Sequence, residues 1–203
     1  MPYLIFALLG YVSGSILYSR LLPSHFRNAD IRLISDDGNP GAGNVFKNFG
    51  AALGVPCLAC DILKGTIPVS LCLQCLEWDH PLFALVMATP VLGHAKKGKA
   101  IAVSFGVLIG LLPFSMMVFY LVIPFLCFSI FLRINPHAWR VIASFLCFFA
   151  ASLAYVPLFS LQLGAFLITF TVIVKHIAFI RQTHAKIHFT VGWHLSRPRS
   201  RRN

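Results

Sequence analysis

The chain alternates long apolar runs with short polar ones, and this pattern predicts its elements. Residues 2–22, 51–76, 81–92, 100–132, 141–154 and 158–180 are dominated by Ala, Val, Ile, Leu, Phe and Cys. A helix needs about 20 apolar residues to cross a bilayer core, so the run at 2–22 reads as a first span and 51–76 as a second. The run at 100–132 is too long for one simple span. Pro113 falls where a break would divide it into a short helix and a full one, because proline cannot continue the helical hydrogen-bond ladder. Seven helices result. Gly10, Ser13, Gly14 and Ser15 put small residues on the first of them at helix-contact spacing, which lets a neighbour approach closely.

Composition fixes the class. Of 203 residues, 58% are hydrophobic and only 11% charged, and the mean hydropathy is +0.79. A soluble globule cannot cover that much apolar surface, so the chain reads as an all-α integral membrane protein. No Lys or Arg precedes Arg20, so the start lacks the basic segment of a cleavable signal peptide and reads as a retained span. A formal charge of +11 would suggest nucleic acid for a soluble chain, but the positive-inside rule accounts for it better, and no nucleic-acid partner is expected. With the N-terminus outside, residues 23–50, 95–99, 133–140 and the C-terminal tail fall on the cytoplasmic side. These segments and the adjoining helix ends then carry the Lys and Arg other than Lys64, while Glu77 and Asp79 fall outside. Residues 1–182 form one membrane domain. Residues 183–203, with Arg197, Arg199, Arg201 and Arg202, form a basic cytoplasmic tail near anionic head groups, expected to lack a fixed fold.

The polar segments hold the candidate chemistry. Gly38, Pro40, Gly41 and Gly43 make a loop that can turn sharply and offer bare N–H groups to an anion, unless it is only a turn between elements. Asn44 can cap a helix starting near Val45, aiming its positive end at the loop, with Lys47 one turn in. Asp61 and Lys64 lie inside an apolar run at i, i+3, where they share a helix face and can neutralise one another. Charges at such depth are costly and mark function by default. Lys96, Lys97, Gly98 and Lys99 follow His94, either as an anchor at the head groups or as a second anion loop. His94 and His176 fall on the same side and can exchange protons near neutral pH. Cys57-x-x-Cys60 and Cys72-x-x-Cys75 resemble a zinc pattern, yet on one helix Cys57 and Cys72 would be about 22 Å apart, too far to share a metal. They read as packing residues. No catalytic serine elbow, Walker loop or two-metal carboxylate set is present, so no metal, cofactor or covalent intermediate is expected.

Taken together, Gly14-Ser15, Asp30-Ile31-Arg32, the GNPGAGN stretch, Asp61-x-x-Lys64-Gly65, Gly93-His94 and Gly98-Lys99 come in the order and context of a known family. Over residues 11–176 the chain resembles the bacterial membrane glycerol-3-phosphate acyltransferases that use acyl phosphate. The resemblance implies a seven-helix enzyme of the cell membrane with its site at the cytoplasmic face. Its substrates would be acyl phosphate and glycerol 3-phosphate, and its products lysophosphatidic acid and phosphate. It implies catalytic roles for His94, His176 and Lys99. It further implies substrate contacts from Ser35, Asp37, Gly38, Asn39, Gly41, Asn44, Lys47, Asp61, Lys64, Gly65, Lys97 and Gly98.

The chain departs from the family pattern at several positions. Asp37 stands at a serine position unless one extra residue lets Ser35 reach that place and swings Asp37 outward to Lys47 or Lys97. Lys97 and Ala100 replace glycines, Lys47 an arginine, and Phe179 an asparagine. Two other classes of function remain open from the residues: an inactive relative that binds phosphate-bearing lipid, and an anion or phosphate transporter, against which the lack of an internal repeat counts.

Overall fold

The computed structural model describes residues 1–35, 37–132, 134–183 and 188–189. The first apolar run, expected as one helix, is two: α1 (Pro2–Ser15) and α2 (Tyr18–Arg27). Ile16 between them is extended, with ψ 121°. Its carbonyl, released from the helical ladder, accepts a hydrogen bond from the Lys64 ammonium at 2.7 Å. A backbone group freed in an apolar layer is costly unless it finds a partner, and a charged donor from the next long helix supplies one here.

The polar stretch that follows is mostly helical. It contains α3 (Ile31–Ile34), whose N-cap Asp30 accepts from the Arg32 N–H, and α4 (Ala42–Phe49). The expected Asn44 cap is corrected: Gly41 caps α4, and Asn44 lies inside it. A cap would accept from the helix backbone. The Asn44 amide instead donates backward, to the Asn39 carbonyl at 2.8 Å and to Asp37 Oδ1 at 2.7 Å, tying the glycine loop to the helix. Ile31, Ala42, Val45, Leu53 and Cys57 form a small core beneath the segment.

The remaining helices are α5 (Ala51–Cys75), α6 (Phe83–Ala95), α7 (Ile101–Gly110), α8 (Met117–Ile130), α9 (His137–Tyr155) and α10 (Phe159–Thr183). The break near Pro113 falls as expected, between α7 and α8. Helix α6 is the axle of the bundle: α1 and α10 pack on it, while α5 packs on α7 and α9 on α8 and α10. Phe83, Val86, Met87 and Val91 of α6 are fully buried. Helix α1 comes close because Gly14 faces Pro90, where a Cβ would sit 2.1 Å from the Pro90 carbonyl oxygen. Outward faces stay apolar, with Ile5, Leu8, Val55, Ile123 and Phe170 all exposed, the surface a lipid-facing bundle needs. Pro2–Arg27, Ala51–Cys75, His137–Tyr155 and Phe159–Gln182 are long and apolar enough to cross a membrane, whereas α6, α7 and α8 are shorter.

Two further expectations are revised. Helix α9 begins at His137, four residues earlier than the expected sixth helix. Before it, β1 (Ile134–Asn135) pairs antiparallel with β2 (His188–Phe189). Part of the tail expected without a fixed fold is therefore held by a strand ladder, which uses backbone groups and needs no apolar pattern. The tail arginines, Asp36 and Arg133 lie outside the described residues.

Candidate functional site

A cavity of about 750 Å³ opens among α4, α5, the α6–α7 turn, α8, α9 and α10. Its lining is of two kinds. Asp37, Asn39, Gly41, Asn44, Asp61, His94, Lys99 and His137 supply polar groups from loops and helix ends, while Leu58, Ile62, Ile101, Phe105 and Phe125 supply apolar ones from helix bodies. Leu58 and Ile62 share one face of α5, and Ile101 and Phe105 one face of α7, because i and i+4 residues are neighbours on a helix. Phe105 meets Phe125 edge to face, ring centroids 5.5 Å apart.

At the polar wall, Lys99 Nζ binds Asp37 Oδ2 at 2.7 Å and lies 3.7 Å from the centre of the Phe179 ring. The other carboxylate oxygen of Asp37 accepts from the Asn44 amide and from the Asn39 N–H at 3.1 Å. Burial pushes the Asp37 carboxyl up, but the hydrogen bonds from Lys99, Asn44 and Asn39 outweigh it and hold it below its ordinary value. The pair therefore persists through neutral pH and is lost only as pH falls through that lowered value. Asp37 thus turns into the cavity and pairs with Lys99, not with Lys47 or Lys97. Ser35 does not line the cavity, and its buried hydroxyl has no hydrogen-bond partner among the described residues.

This geometry gives a direct prediction. An anion entering beside Lys99 meets the Asp37 carboxylate, and two unit charges ~4 Å apart at an effective dielectric of ~20 repel by about 4 kcal/mol. Removing the carboxylate ends that repulsion and also frees the Lys99 ammonium that it pairs with. Asp37→Ser is expected to tighten binding of inorganic phosphate or a phosphate monoester by tenfold or more, read by calorimetry on the purified protein. Unchanged or weaker binding would remove Asp37 from the anion's path.

Deeper in, a buried node joins three helices. Lys64 Nζ lies 2.7 Å from Asp61 Oδ1, 2.7 Å from the Ile16 carbonyl and 2.6 Å from His94 Nδ1. Asp61 Oδ2 accepts from the Ser19 hydroxyl at 3.0 Å. An ammonium has three N–H donors, and all three have partners here.

The other expected site residues lie around this frame. Gly38 takes a positive φ of 61° in the loop, and Lys47 is exposed on α4. Gly65 abuts α7, where a Cβ would fall 2.5 Å from the Val103 carbonyl oxygen. Gly98 lies against the His94 ring, where a Cβ would fall 2.4 Å from Nε2. Lys97 is exposed in the turn that follows α6. His176 is fully buried, with Nδ1 2.8 Å from the Val172 carbonyl. Neither Lys64 nor His176 lines the cavity itself.

Sequence reasoning passed over His137, Ser19 and Phe179 as parts of the site. His137 was hidden in a segment read as a polar link, and Ser19 in a span read as one helix. Phe179 shows in the sequence only as a departure from a motif. The spacing of His137 and Phe179 from the glycine loop, about 100 residues or more, offers no local signal.

Comparison with known proteins adds the following. A protein-family model described as glycerol-3-phosphate acyltransferase matches residues 4–186. Glycerol-3-phosphate acyltransferase 2 of Thermotoga maritima is 35% identical over 115 residues, which are 53% of this chain and 58% of that protein. The glycerol-3-phosphate acyltransferase of Hydrogenobaculum sp. is 29% identical over 175 residues, 82% of this chain and 86% of that protein. The chain thus spans little more than half the length of the first of these relatives. Among solved structures, the crystal structure of PlsY, an integral membrane glycerol 3-phosphate acyltransferase, in its glycerol 3-phosphate form superposes with a TM-score of 0.77. It covers 91% of this chain and 92% of that one at 22% identity, a likeness of fold.

Proposed function

Because this chain belongs to the glycerol-3-phosphate acyltransferase family, we propose that it transfers an acyl chain from acyl phosphate to the 1-hydroxyl of glycerol 3-phosphate, yielding lysophosphatidic acid and phosphate. The observation that carries this reading is the mixed lining of the cavity. Both substrates bear phosphate, which suits Lys99 and the first-turn N–H groups of α4, since those of Gly38, Asn39 and Gly41 already bond within the loop. One bears a fatty chain, which suits the faces of α5, α7 and α8 that present Leu58, Phe105 and Phe125. Acyl phosphate is already an activated mixed anhydride, so positioning and charge stabilisation can supply much of the catalysis.

In this reading Asn39, Gly41, Asn44 and Lys99 surround a phosphate, with Ser35, Gly38, Lys47, Lys97 and Gly98 supporting that wall, and Asp37 is the group the phosphate must displace. Asp61, Lys64 and Gly65 hold α5 against its neighbours. His94 serves the reacting atoms from the cavity wall, and His176 supports that wall from behind it. The test is the purified protein incubated with acyl phosphate and glycerol 3-phosphate, following lysophosphatidic acid and released phosphate together. Formation of both in equal amounts supports the reading. Binding of either substrate without product would identify a lipid-phosphate binder, the outcome that the Asp37–Lys99 pair motivates.

The same reading places the protein in the cell membrane with seven crossings, the N-terminus outside and the tail in the cytoplasm. The short α6 supports this because it is buried inside the bundle and does not need a full lipid-facing length. In a cysteine-free background, Asp79→Cys is expected to react with an impermeant thiol reagent in intact cells, and Ser200→Cys only after permeabilisation. Labelling of Ser200→Cys from outside would overturn the orientation.

A further inference from the structure

Resting on the acyl-transfer reading, we propose that Asp37 is a tethered competitor for phosphate on Lys99, hastening the departure of the phosphate product, and that Phe179 makes the competition exclusive. The three side chains meet at one atom. Lys99 Nζ donates to Asp37 Oδ2 at 2.7 Å and lies 3.7 Å from the centre of the Phe179 ring. The ammonium gains cation–π attraction from the ring, which covers one side of it and whose negative face repels an anion there. A phosphate is left the side that opens on the cavity, where Asp37 already stands. Binding is then an exchange of one anion for the other.

Asp37 is held so that it can lose that bond and stay in place. Its Oδ1 accepts from the Asn39 N–H at 3.1 Å and from the Asn44 amide at 2.7 Å, so one oxygen fixes the side chain whether or not the other meets Lys99. Asn44 is itself fixed, because its amide also donates to the Asn39 carbonyl at 2.8 Å. A carboxylate kept beside the ammonium competes as an intramolecular group does, at an effective concentration set by its tether and not by the solution. With side-chain exposures of 19% and 25%, Lys99 and Asp37 are partly shielded from solvent, so salt screens this pair less than a surface one.

The consequence differs between substrate and product. Acyl phosphate also has a fatty chain, which Leu58, Phe105 and Phe125 of the cavity wall hold, so it stays bound although its phosphate is weakly held. Inorganic phosphate has no chain. Once the acyl group has moved, only the anion wall retains the product, and Asp37 retakes Lys99 as it goes. The carboxylate weakens the hold on phosphate in the substrate complex and in the transition state alike, so it raises KM without aiding the chemical step. What it speeds is release. Phe179 is a positioning residue, acting on phosphate through Lys99: with the ring gone, the ammonium can turn away from Asp37 and meet phosphate on the vacated side.

The test uses the full chain in detergent, with inorganic phosphate as the probe. Asp37→Asn removes the charge and keeps an oxygen for the Asn39 N–H and the Asn44 amide, and Asp37→Ser repeats the measurement should that variant fold poorly. By calorimetry Asp37→Asn is expected to bind phosphate roughly tenfold more tightly than wild type, and phosphorus-31 NMR line shapes to show phosphate leaving roughly tenfold more slowly. In a Phe179→Ala background the same substitution should gain less than about threefold. Unchanged affinity and exchange in both Asp37 variants overturn the competitor, and an equal gain in the two backgrounds overturns the role of Phe179. Turnover supplies the other readout: in Asp37→Asn, KM for acyl phosphate falls and kcat does not rise. A rise in kcat would move the effect of Asp37 to the chemical step and overturn the release role. Wild-type protein that binds phosphate as expected but transfers no acyl chain would defeat the proposed reaction while upholding the exchange at Lys99.

Discussion

Lys64→Met is expected to destabilise the folded protein by about 3–5 kcal/mol, the cost of leaving a buried charge without its partner. The side chains of Lys64 and Asp61 are each almost wholly buried, at 1% and 2% exposure, so solvent offers no compensation. Removing the ammonium strands three acceptors at once: Asp61 Oδ1, the Ile16 carbonyl and His94 Nδ1. The Ile16 carbonyl matters most for the fold, because it is already outside its own helix and has an alternative only if α1 and α2 rejoin. Partial neutralisation of Asp61 by protonation limits the loss. A double variant, Lys64→Met with Asp61→Leu, is expected to regain much of it, since replacing both members of a buried pair by apolar groups is often close to neutral. Denaturant unfolding of the detergent-solubilised protein measures both. A single variant as stable as wild type, or a double variant no better than the single one, would refute the account of this node.

Lys99→Ala is expected to lower turnover by a hundredfold or more, about 3 to 4 kcal/mol, the usual cost of losing a donor aimed at developing charge. Unlike Lys64, Lys99 is partly exposed at the cavity wall, with 19% of its side chain accessible, so its removal should cost little stability. The two lysines therefore separate into a structural and a catalytic effect. If the loss is in kcat, Lys99 acts on the transition state; if it is in KM alone, Lys99 only holds substrate. Wild-type kinetics in Lys99→Ala would leave this lysine as a partner for Asp37 and nothing more.

The sequence made the second of these lysines easier to find than to understand. Lys96, Lys97 and Lys99 stand together and look equivalent, yet Lys96 lies 5.0 Å from the Tyr11 ring centre, Lys97 is exposed, and only Lys99 lines the cavity. Which of three neighbouring cations faces a site depends on the backbone turn that carries them. Here Ala100 takes the left-handed conformation, φ 61°, between the turn and α7. Periodicity does not report a single left-handed residue. Asp37 was legible as an oddity, but its partner was not, since Lys99 is 62 residues away.

By itself the sequence determined that this is an all-helical membrane protein, because lipid demands long apolar runs and those are visible residue by residue. It also determined that Asp61 and Lys64 form a pair, because i, i+3 on a helix is a local relation. Only the tertiary structure decided where the first run breaks, what donates to the freed Ile16 carbonyl, and that His94 joins the Asp61–Lys64 pair. Those outcomes depend on hydrogen bonds between helices distant in the chain, such as Ile16 to Lys64 and Lys64 to His94. A directional bond of that kind leaves no mark on the hydrophobic pattern of either partner.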